Sequence, residues 1–372
     1  MKQRCYPDYD NSSLSLISSI LRHYGAGTLH KTLPALDALL QKKPKNVVLM
    51  LFDGLGSEFL AQHKSEAPFL FAHQRETLSA VFPSTTTAAT VSIESGLSPL
   101  EHAWLGWTLY FKELDANVDI FPNTAAGKPA ADYHVARRYL PYEDVFSRIT
   151  NASGGKVEAH CFSQFTSYPA DVCRSTEEIC AAIRNSCAAP GEKYLYSYWQ
   201  YPDYTMHEFG TSHEEVLVQL RQIDAAVRSL CETLTDTLVL VTADHGLVDV
   251  QWEYLSDYPD LTDCLLRAPS MEARAMNFFV KDGMRERFAA LFEAAFGANY
   301  LLFTHEEALQ KGLFGGGTAH ERVAGFLGDF LAVATDEISI DSGKKSTHPF
   351  FKAAHAGFSK QEMRVPMIVV ET

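Results

Sequence analysis

The sequence is poor in basic residues and in long apolar runs. It has 32 lysines and arginines against 46 aspartates and glutamates, which gives a formal net charge of −14 over 372 residues. An acidic chain of this kind has no broad basic face, so a nucleic-acid polymer is not an expected partner. No apolar run approaches the roughly 20 residues that a membrane-spanning helix needs, and the first residues contain no apolar signal segment. We therefore expect a cytoplasmic protein that does not bind a membrane.

Three motifs that would indicate other kinds of protein are incomplete. The seven cysteines are odd in number and form no C-x-x-C pair, which is typical of reduced cytosolic thiols. The G-L-G run at 54–56 follows an apolar segment, but Phe59 stands where a dinucleotide-binding turn has its third glycine. The run that begins at Gly96 ends on Leu100 and lacks the last glycine of a serine-esterase G-x-S-x-G motif. These gaps disfavour a nicotinamide-dependent oxidoreductase and an α/β-hydrolase.

Three unbroken apolar runs have the length of strands: Asn46–Phe52, 194–199 and Thr237–Thr242. Continuous hydrophobicity, as opposed to alternation, indicates strands that are buried on both faces of a parallel sheet. Helical spacing precedes and separates these runs, most clearly at 213–234. The pattern predicts an α/β fold with a largely parallel central sheet sandwiched by helices.

The pattern changes from about residue 251 to residue 345. A short strand at 274–280 and a helix at Arg285–Phe296 are followed by further short elements. A last apolar strand, 365–370, then returns to the sheet. We expect a core formed by 1–250 and 346–372, with 251–345 as an inserted α+β subdomain or cap.

Polar side chains follow two of the predicted strands directly. Asp53 comes after the first strand, and Asp244 and His245 come after the third. Ligands of open α/β sheets bind at the carboxyl ends of the strands, so these three side chains are expected in one cleft. Each of them can bind a metal ion. Taken singly, Asp53 is better explained as a helix cap and His245 as a core histidine.

The remaining strand is followed by Asp203 and His207. If the intervening residues are helical, the two side chains lie one turn apart on the same face. A carboxylate and an imidazole in this arrangement can hold one metal ion together. The D-x-x-x-H spacing alone is weak evidence for a metal site. Its position directly after a buried strand strengthens that evidence.

A short helix rich in hydroxyl groups is predicted after Phe82-Pro83. It carries Thr85, Thr86 and Thr87 near its start and ends before Gly96. The N-terminus of a helix has unpaired N–H groups and a partial positive charge, which suit a phosphoryl group. A threonine there can act as a nucleophile if a metal ion lowers the pKa of its hydroxyl. Helix capping is the alternative role for these threonines.

Together these segments resemble the alkaline phosphatase superfamily, and most closely its nucleotide pyrophosphatase/phosphodiesterase branch. The resemblance runs from Asn46 to the C-terminus through five ordered segments: VVLMLFDGLG at 47–56, FPSTTTAATVSIESGLSPLEH at 82–102, YPDYTMHEFG at 201–210, VTADHG at 241–246 and AAHAGFSKQEMRVPMIVV at 353–370. It implies an alkaline phosphatase-like fold and a metal-dependent hydrolase of phosphate esters.

The resemblance also implies a role for each matching residue. Asp53, Asp244 and His245 match the ligands of one zinc ion. Asp203, His207 and His355 match the ligands of the other. His320 and His348 are further histidines in this part of the chain, and the closing motif around 355 selects His355. Thr86 matches the nucleophile, with Thr85 and Thr87 as alternatives. The mixed nitrogen and oxygen ligands favour two Zn²⁺ ions, with Mn²⁺ as an alternative.

The implied reaction passes through a phosphothreonine on Thr86. No lysine or arginine lies between Glu76 and Glu101, which favours phosphodiesters or nucleotide pyrophosphates over the more highly charged monoesters. The expected partner is therefore a small phosphate ester, nucleotides included. A phosphomonoesterase and a non-catalytic metal-binding or interaction protein are the alternatives.

The aromatic segment after the nucleophile helix resembles a substrate-binding region. Trp104, Trp107 and Tyr110 are candidates for contact with a planar leaving group, and Tyr168 and Tyr201 are weaker ones. Packing in the core is the alternative role for these aromatic side chains.

Overall fold

The computed structural model describes residues 4–164, 171–343 and 351–372. Two sequence candidates, Tyr168 and His348, lie outside the described residues. In chain order the strands are β1 (Asn46–Phe52), β2 (Gln74–Ser79), β3 (Thr108–Phe111), β4 (Ala116–Asp119), β5 (Thr124–Ala125), β6 (Lys128–Pro129), β7 (Val157–Ser163), β8 (Asp171–Val172), β9 (Glu192–Trp199), β10 (Thr237–Thr242), β11 (Val248–Asp249), β12 (Gln251–Tyr254), β13 (Ser270–Met271), β14 (Ala275–Phe278), β15 (Tyr300–Thr304), β16 (Phe330–Ala334), β17 (Ile338–Asp341), β18 (Ala353–Ala354) and β19 (Arg364–Glu371).

Helices connect these strands, and a 3₁₀ turn spans Leu255–Asp257. In chain order the α-helices are α1 (Ser13–His23), α2 (Pro34–Leu40), α3 (Ser57–Gln62), α4 (Pro68–His73), α5 (Thr86–Ser95), α6 (Pro99–His102), α7 (Val135–Tyr139), α8 (Val145–Ala152), α9 (Thr176–Ala188), α10 (Asp203–Phe209), α11 (Glu214–Cys231), α12 (Pro259–Thr262), α13 (Arg285–Phe296), α14 (His305–Gln310), α15 (Val323–Phe326) and α16 (Lys360–Met363).

The central sheet has the strand order β2-β19-β10-β1-β9-β7-β8. Strands β10, β1, β9, β7 and β8 run parallel, and β19 is antiparallel to both of its neighbours. Strand β1 lies in the middle and every one of its residues is buried, as its unbroken apolar sequence predicts. The predicted fold class is confirmed.

Helices flank this sheet. The long α11 packs against α9 and α4, while α1 and α8 both pack against α5. Ser175 caps α9 by accepting a hydrogen bond from the Glu178 backbone N–H. The cysteines on α9 contribute to the buried core, and all seven cysteines of the chain are unpaired. The expected cytoplasmic location itself stays a prediction. No helix among the described residues is both long and apolar enough to cross a membrane.

A second sheet has the strand order β15-β16-β14-β13-β3-β4-β5-β6. Strands β13 to β16 come from the predicted insert 251–345, and strands β3 to β6 come from the predicted core. The two groups join where Met271 of β13 pairs with Thr108 of β3. This sheet therefore takes strands from both sides of the predicted boundary at 251. The division into a core and an inserted subdomain stays a prediction.

Candidate active site

The first group of metal-competent side chains lies at the ends of two neighbouring strands. Strands β1 and β10 pair in parallel up to Leu51 and Thr242, so the residues that follow them emerge at the same edge of the sheet. There Asp53, Asp244 and His245 each offer a ligand atom, and these atoms lie within 4.8 Å of one another. The Gly54 and His245 backbone N–H groups both donate to Asp244 Oδ1. The three side chains therefore lie together at this edge of the sheet, as the strand-end rule predicts.

Gly54 allows this turn to form. Its φ is +75°, in the left-handed region that side chains disfavour. A Cβ atom there would lie 2.7 Å from Leu247 Cδ1 and 2.9 Å from Asp203 Cβ. The glycine therefore permits the close approach of the second group of ligands to the first.

The second group consists of Asp203, His207 and His355, whose ligand atoms also lie within 4.8 Å of one another. Helix α10 begins at Asp203 directly after β9, and His207 follows one turn later with Nε2 3.4 Å from Asp203 Oδ2. The predicted helical spacing is confirmed. His355 comes from the connection between β18 and α16, which lies far away in sequence.

The two groups adjoin each other through their histidine rings. The His245 and His355 rings stack with centroids 3.9 Å apart, and the His207 and His355 centroids are 5.3 Å apart. The structure thus brings together all six side chains that sequence reasoning selected as metal ligands.

The three histidines share one hydrogen-bonding arrangement. Their Nδ1 atoms face backbone carbonyls, which can only accept: Gly246 O for His245, Ala353 O for His207 and Ser84 O for His355. In the neutral ring, Nδ1 therefore carries the proton and Nε2 keeps a lone pair. A carbonyl that fixes the tautomer in this way is the usual support of a metal-binding histidine. Burial lowers the pKa of His245 to about 3 and that of His355 well below its usual value, which keeps both rings neutral.

The aspartates are crowded and incompletely paired. Burial raises the pKa of Asp203 to about 8 and that of Asp244 to about 7, and burial together with the Asp244 charge raises the pKa of Asp53. Among the described residues, Asp53 Oδ1, Asp203 Oδ1 and Asp244 Oδ2 are buried without a hydrogen-bond partner. Such oxygens are costly unless a cation or donor meets them. The residues present therefore fit two divalent cations.

Thr86 is the threonine that faces these groups. It is the first residue of α5, and its Oγ1 lies 3.2 Å from Asp53 Oδ2 and 3.2 Å from His245 Nε2. The Thr85 hydroxyl instead donates to Glu272 at 2.6 Å. Thr87 Oγ1 is buried with no partner among the residues described. Of the three threonine hydroxyls, that of Thr86 contacts the first group of metal-competent side chains.

Two side chains near the site escaped sequence reasoning. The Tyr198 hydroxyl donates to Asp53 Oδ2, and the Glu272 carboxylate accepts from Thr85 and from the Trp107 backbone N–H. Tyr198 lies on the buried strand β9, where its hydroxyl gives no signal in the sequence. Glu272 lies in the predicted insert, and only the pairing of β13 with β3 brings it to the site.

The aromatic candidates differ in their surroundings. Trp104 is fully buried and its indole N–H donates to Leu140 O, so core packing accounts for it. Trp107 is 41% exposed, next to the Glu272 contact. The Arg267 guanidinium carbon lies 3.7 Å from the centroid of the Tyr110 ring, and the Tyr110 hydroxyl donates to Asp115. Tyr201 packs between Trp199 and the exposed Tyr204, beside the start of α10.

Comparisons with known proteins bear on the fold and the family. Solved structures of the murine and human ectonucleotide pyrophosphatase / phosphodiesterase 5 share the fold, each with a TM-score of 0.65. The murine protein is 17% identical, with 88% of each chain covered, and the human protein is 15% identical, with 87% of each chain covered. An inactive threonine-to-alanine variant of the murine protein, in complex with AMP, is 16% identical with 87% of each chain covered and a TM-score of 0.65. A search of curated proteins gave no significant match.

The family model for type I phosphodiesterase / nucleotide pyrophosphatase matches residues 47–358, which is most of the chain. This family generally consists of dinuclear metal enzymes, and the six clustered side chains form a candidate metal site of that kind. The chain therefore belongs to the type I phosphodiesterase / nucleotide pyrophosphatase family of the alkaline phosphatase superfamily, and it is a hydrolase that acts on phosphoric ester bonds.

Proposed function

We propose that this hydrolase cleaves phosphodiesters or nucleotide pyrophosphates with two bound divalent cations and Thr86 as the nucleophile. The observation that carries the proposal is the position of Thr86 Oγ1, 3.2 Å from both Asp53 Oδ2 and His245 Nε2. The Thr86 hydroxyl thus lies beside Asp53 and His245 and at the start of helix α5.

The ligands for the two ions are the two groups defined by the geometry. Asp53, Asp244 and His245 would hold one ion, and Asp203, His207 and His355 would hold the other. Three imidazole nitrogens with three carboxylates suit Zn²⁺, and Mn²⁺ is the alternative. When bound, the ions would supply Lewis-acid stabilisation of phosphoryl oxygens and a lowered pKa for the nearby hydroxyl.

The protein's own groups supply the rest of the reaction. Thr86 Oγ1 loses its proton to solvent and attacks phosphorus in line with the leaving oxygen. The Oγ1–P bond forms as the bond from phosphorus to the leaving oxygen breaks, which gives a phosphothreonine, and the alcohol or nucleotide takes up a proton from solvent where it needs one. Thr85 places no side-chain cap on α5, so the N–H groups at the helix start remain available to phosphoryl oxygens. Water then cleaves the phosphothreonine, and the two displacements give net retention at phosphorus.

A diester or nucleotide substrate is supported by two observations. No lysine or arginine lies between Glu76 and Glu101 to balance the second charge of a monoester. The murine relative's inactive threonine-to-alanine variant is in complex with AMP, which supports a nucleotide as ligand and a threonine as the reacting group.

The test is the hydrolysis of bis-p-nitrophenyl phosphate and p-nitrophenyl phosphate by the zinc-loaded protein, with EDTA-treated protein as the blank. We expect metal-dependent turnover with the diester preferred. Thr86→Ala should lose activity by about a thousandfold or more while keeping its zinc content, since the loss is confined to the nucleophile. Thr87→Ala is the matched control on the same turn and should remain active.

Three results would change this assignment. A preference for the monoester would make the protein a phosphomonoesterase. Zinc binding without turnover of either ester would favour the non-catalytic metal-binding alternative. Full activity in Thr86→Ala would move the nucleophile to another residue.

A further inference from the structure

Glu272 is a carboxylate that the proposed reaction does not use, and it contacts the residue before the proposed nucleophile. Its Oε1 accepts hydrogen bonds from the Thr85 hydroxyl at 2.6 Å and from the Trp107 backbone N–H at 2.7 Å. Thr85 is the residue immediately before Thr86. Within 4–164, 171–343 and 351–372, both hydrogen bonds of this carboxylate end on Oε1.

The backbone around Glu272 is held in a conformation that few side chains adopt. The preceding residue, Met271, has a φ of +72°, a strained value for a residue with a side chain. Met271 pairs with Thr108, and a Cβ atom at Gly106 would lie 2.9 Å from Met271 Cα. This tight contact turns the chain so that Glu272 meets the start of α5.

A buried ion pair anchors the same turn. Arg274 is fully buried and donates from Nε to Glu362 Oε1 at 2.6 Å and from Nη2 to Glu362 Oε2 at 2.9 Å. Glu362 also accepts from the Gly357 backbone N–H, two residues after His355. The turn that carries Glu272 is thus fixed to the segment that carries a metal-competent histidine. Because Glu362 neutralises Arg274, that arginine does not offset the charge of Glu272.

The Glu272 carboxylate lies one residue from the proposed nucleophile, because its Oε1 accepts from the Thr85 hydroxyl. Burial raises the pKa of Glu272 to about 7, with the hydrogen bonds from Thr85 and Trp107 opposing the rise. Two divalent cations would exceed the three aspartate charges by one unit, and an ionised Glu272 cancels that excess.

We propose that Glu272 is a specificity-determining residue that disfavours phosphate esters with a second negative charge and so selects diesters over monoesters. This inference rests on the proposed function, because it takes Thr86 and the six ligands as the place where phosphorus binds. A diester has one charge near the transferred phosphorus. A monoester has close to two at neutral pH, so it suffers more from a neighbouring carboxylate.

The experiment compares wild-type protein with Glu272→Gln, both zinc-loaded, at about pH 9 so that the carboxylate is ionised. The Gln carbonyl can still accept from Thr85 and Trp107, so the variant removes the charge and keeps the hydrogen bonds. We expect the ratio of kcat/KM for the diester to kcat/KM for the monoester to fall by about tenfold, because one unit charge has been removed near the phosphorus. Glu272→Asp, which keeps the charge, should retain more of the wild-type ratio.

A binding measurement gives a readout that does not depend on turnover. By calorimetry, inorganic phosphate should gain about tenfold in affinity in Glu272→Gln, and dimethyl phosphate should gain less. The matched control is Glu94→Gln. Glu94 is a buried carboxyl on the same helix as Thr86, its pKa is raised by burial to about 8, and it accepts from the Tyr142 hydroxyl. We expect that control to leave the selectivity ratio unchanged.

The outcomes separate this inference from the proposed function. An unchanged ratio and unchanged phosphate affinity in Glu272→Gln, with wild-type diesterase activity intact, would overturn the role of Glu272 alone. Equal losses for both esters would make Glu272 a structural support, which also overturns it. Failure of the wild-type protein to turn over either ester would instead overturn the proposed function.

Discussion

Replacing Asp203 by asparagine should stabilise the metal-free protein and reduce the stabilisation that bound zinc provides. Asp203 is buried at the start of α10, and its Oδ1 is without a hydrogen-bond partner in the part of the chain described. The substitution Asp203→Asn keeps the size of the side chain and removes the charge. The prediction follows from burial of an ionisable group that only a cation can compensate.

The magnitude comes from the pKa of Asp203, which burial raises to about 8 from its usual value of 3.8. A raised carboxyl pKa means that ionisation is penalised in the folded state. The penalty is absent below the unfolded pKa, grows as the pH rises, and levels off above the folded pKa. Between about pH 5 and about pH 8, the free energy of unfolding of the metal-free wild type should therefore fall by up to about 4 kcal/mol relative to that of Asp203→Asn.

The assay is urea denaturation of both proteins in EDTA at these two pH values, followed by the same measurement with zinc. The variant should be more stable than the wild type at the higher pH, and the gap should shrink at the lower pH. Added zinc should stabilise the wild type more, because binding to the folded state raises its stability. Equal stability of the two metal-free proteins at about pH 8 would refute the argument from burial.

Two other substitutions test neighbouring parts of the structure. Tyr198→Phe removes the hydroxyl that donates to Asp53. Zinc affinity, measured by competition with a chelator, should therefore fall about tenfold to a hundredfold. An unchanged affinity would show that Tyr198 gives Asp53 no support. Arg274→Met leaves Glu362 buried without its ion-pair partner and should reduce the free energy of unfolding by about 3–5 kcal/mol. Adding Glu362→Gln to that variant should recover part of the loss. No recovery would contradict the assignment of the loss to the ion pair.

Much of the central sheet is predictable because its strands are buried on both faces. The bounds of β1 and β10 coincide with unbroken apolar runs, and α13 coincides with the predicted helix Arg285–Phe296. Asp53 and Asp244 follow from the same pattern, since polar residues after buried parallel strands meet at one edge. Local sequence and a general rule of sheet topology are sufficient there.

Other parts depend on contacts between distant segments. His355 reaches the site because β18 pairs with β11 and because its Nδ1 meets Ser84 O, which is 271 residues away. Glu272 meets Thr85 across 187 residues. The aromatic pattern is equally uninformative, since Trp104 is fully buried while Trp107 is 41% exposed only three positions later. Local periodicity contains no information on such encounters, and for His355 only the resemblance to a family identified it.

The most direct measurement is anomalous scattering at the zinc edge from crystals of the zinc-loaded protein. We predict two peaks about 4 Å apart, as in two-metal sites generally. One peak should lie among Asp53, Asp244 and His245, and the other among Asp203, His207 and His355. A single peak, or peaks away from these side chains and from Thr86, would contradict the account.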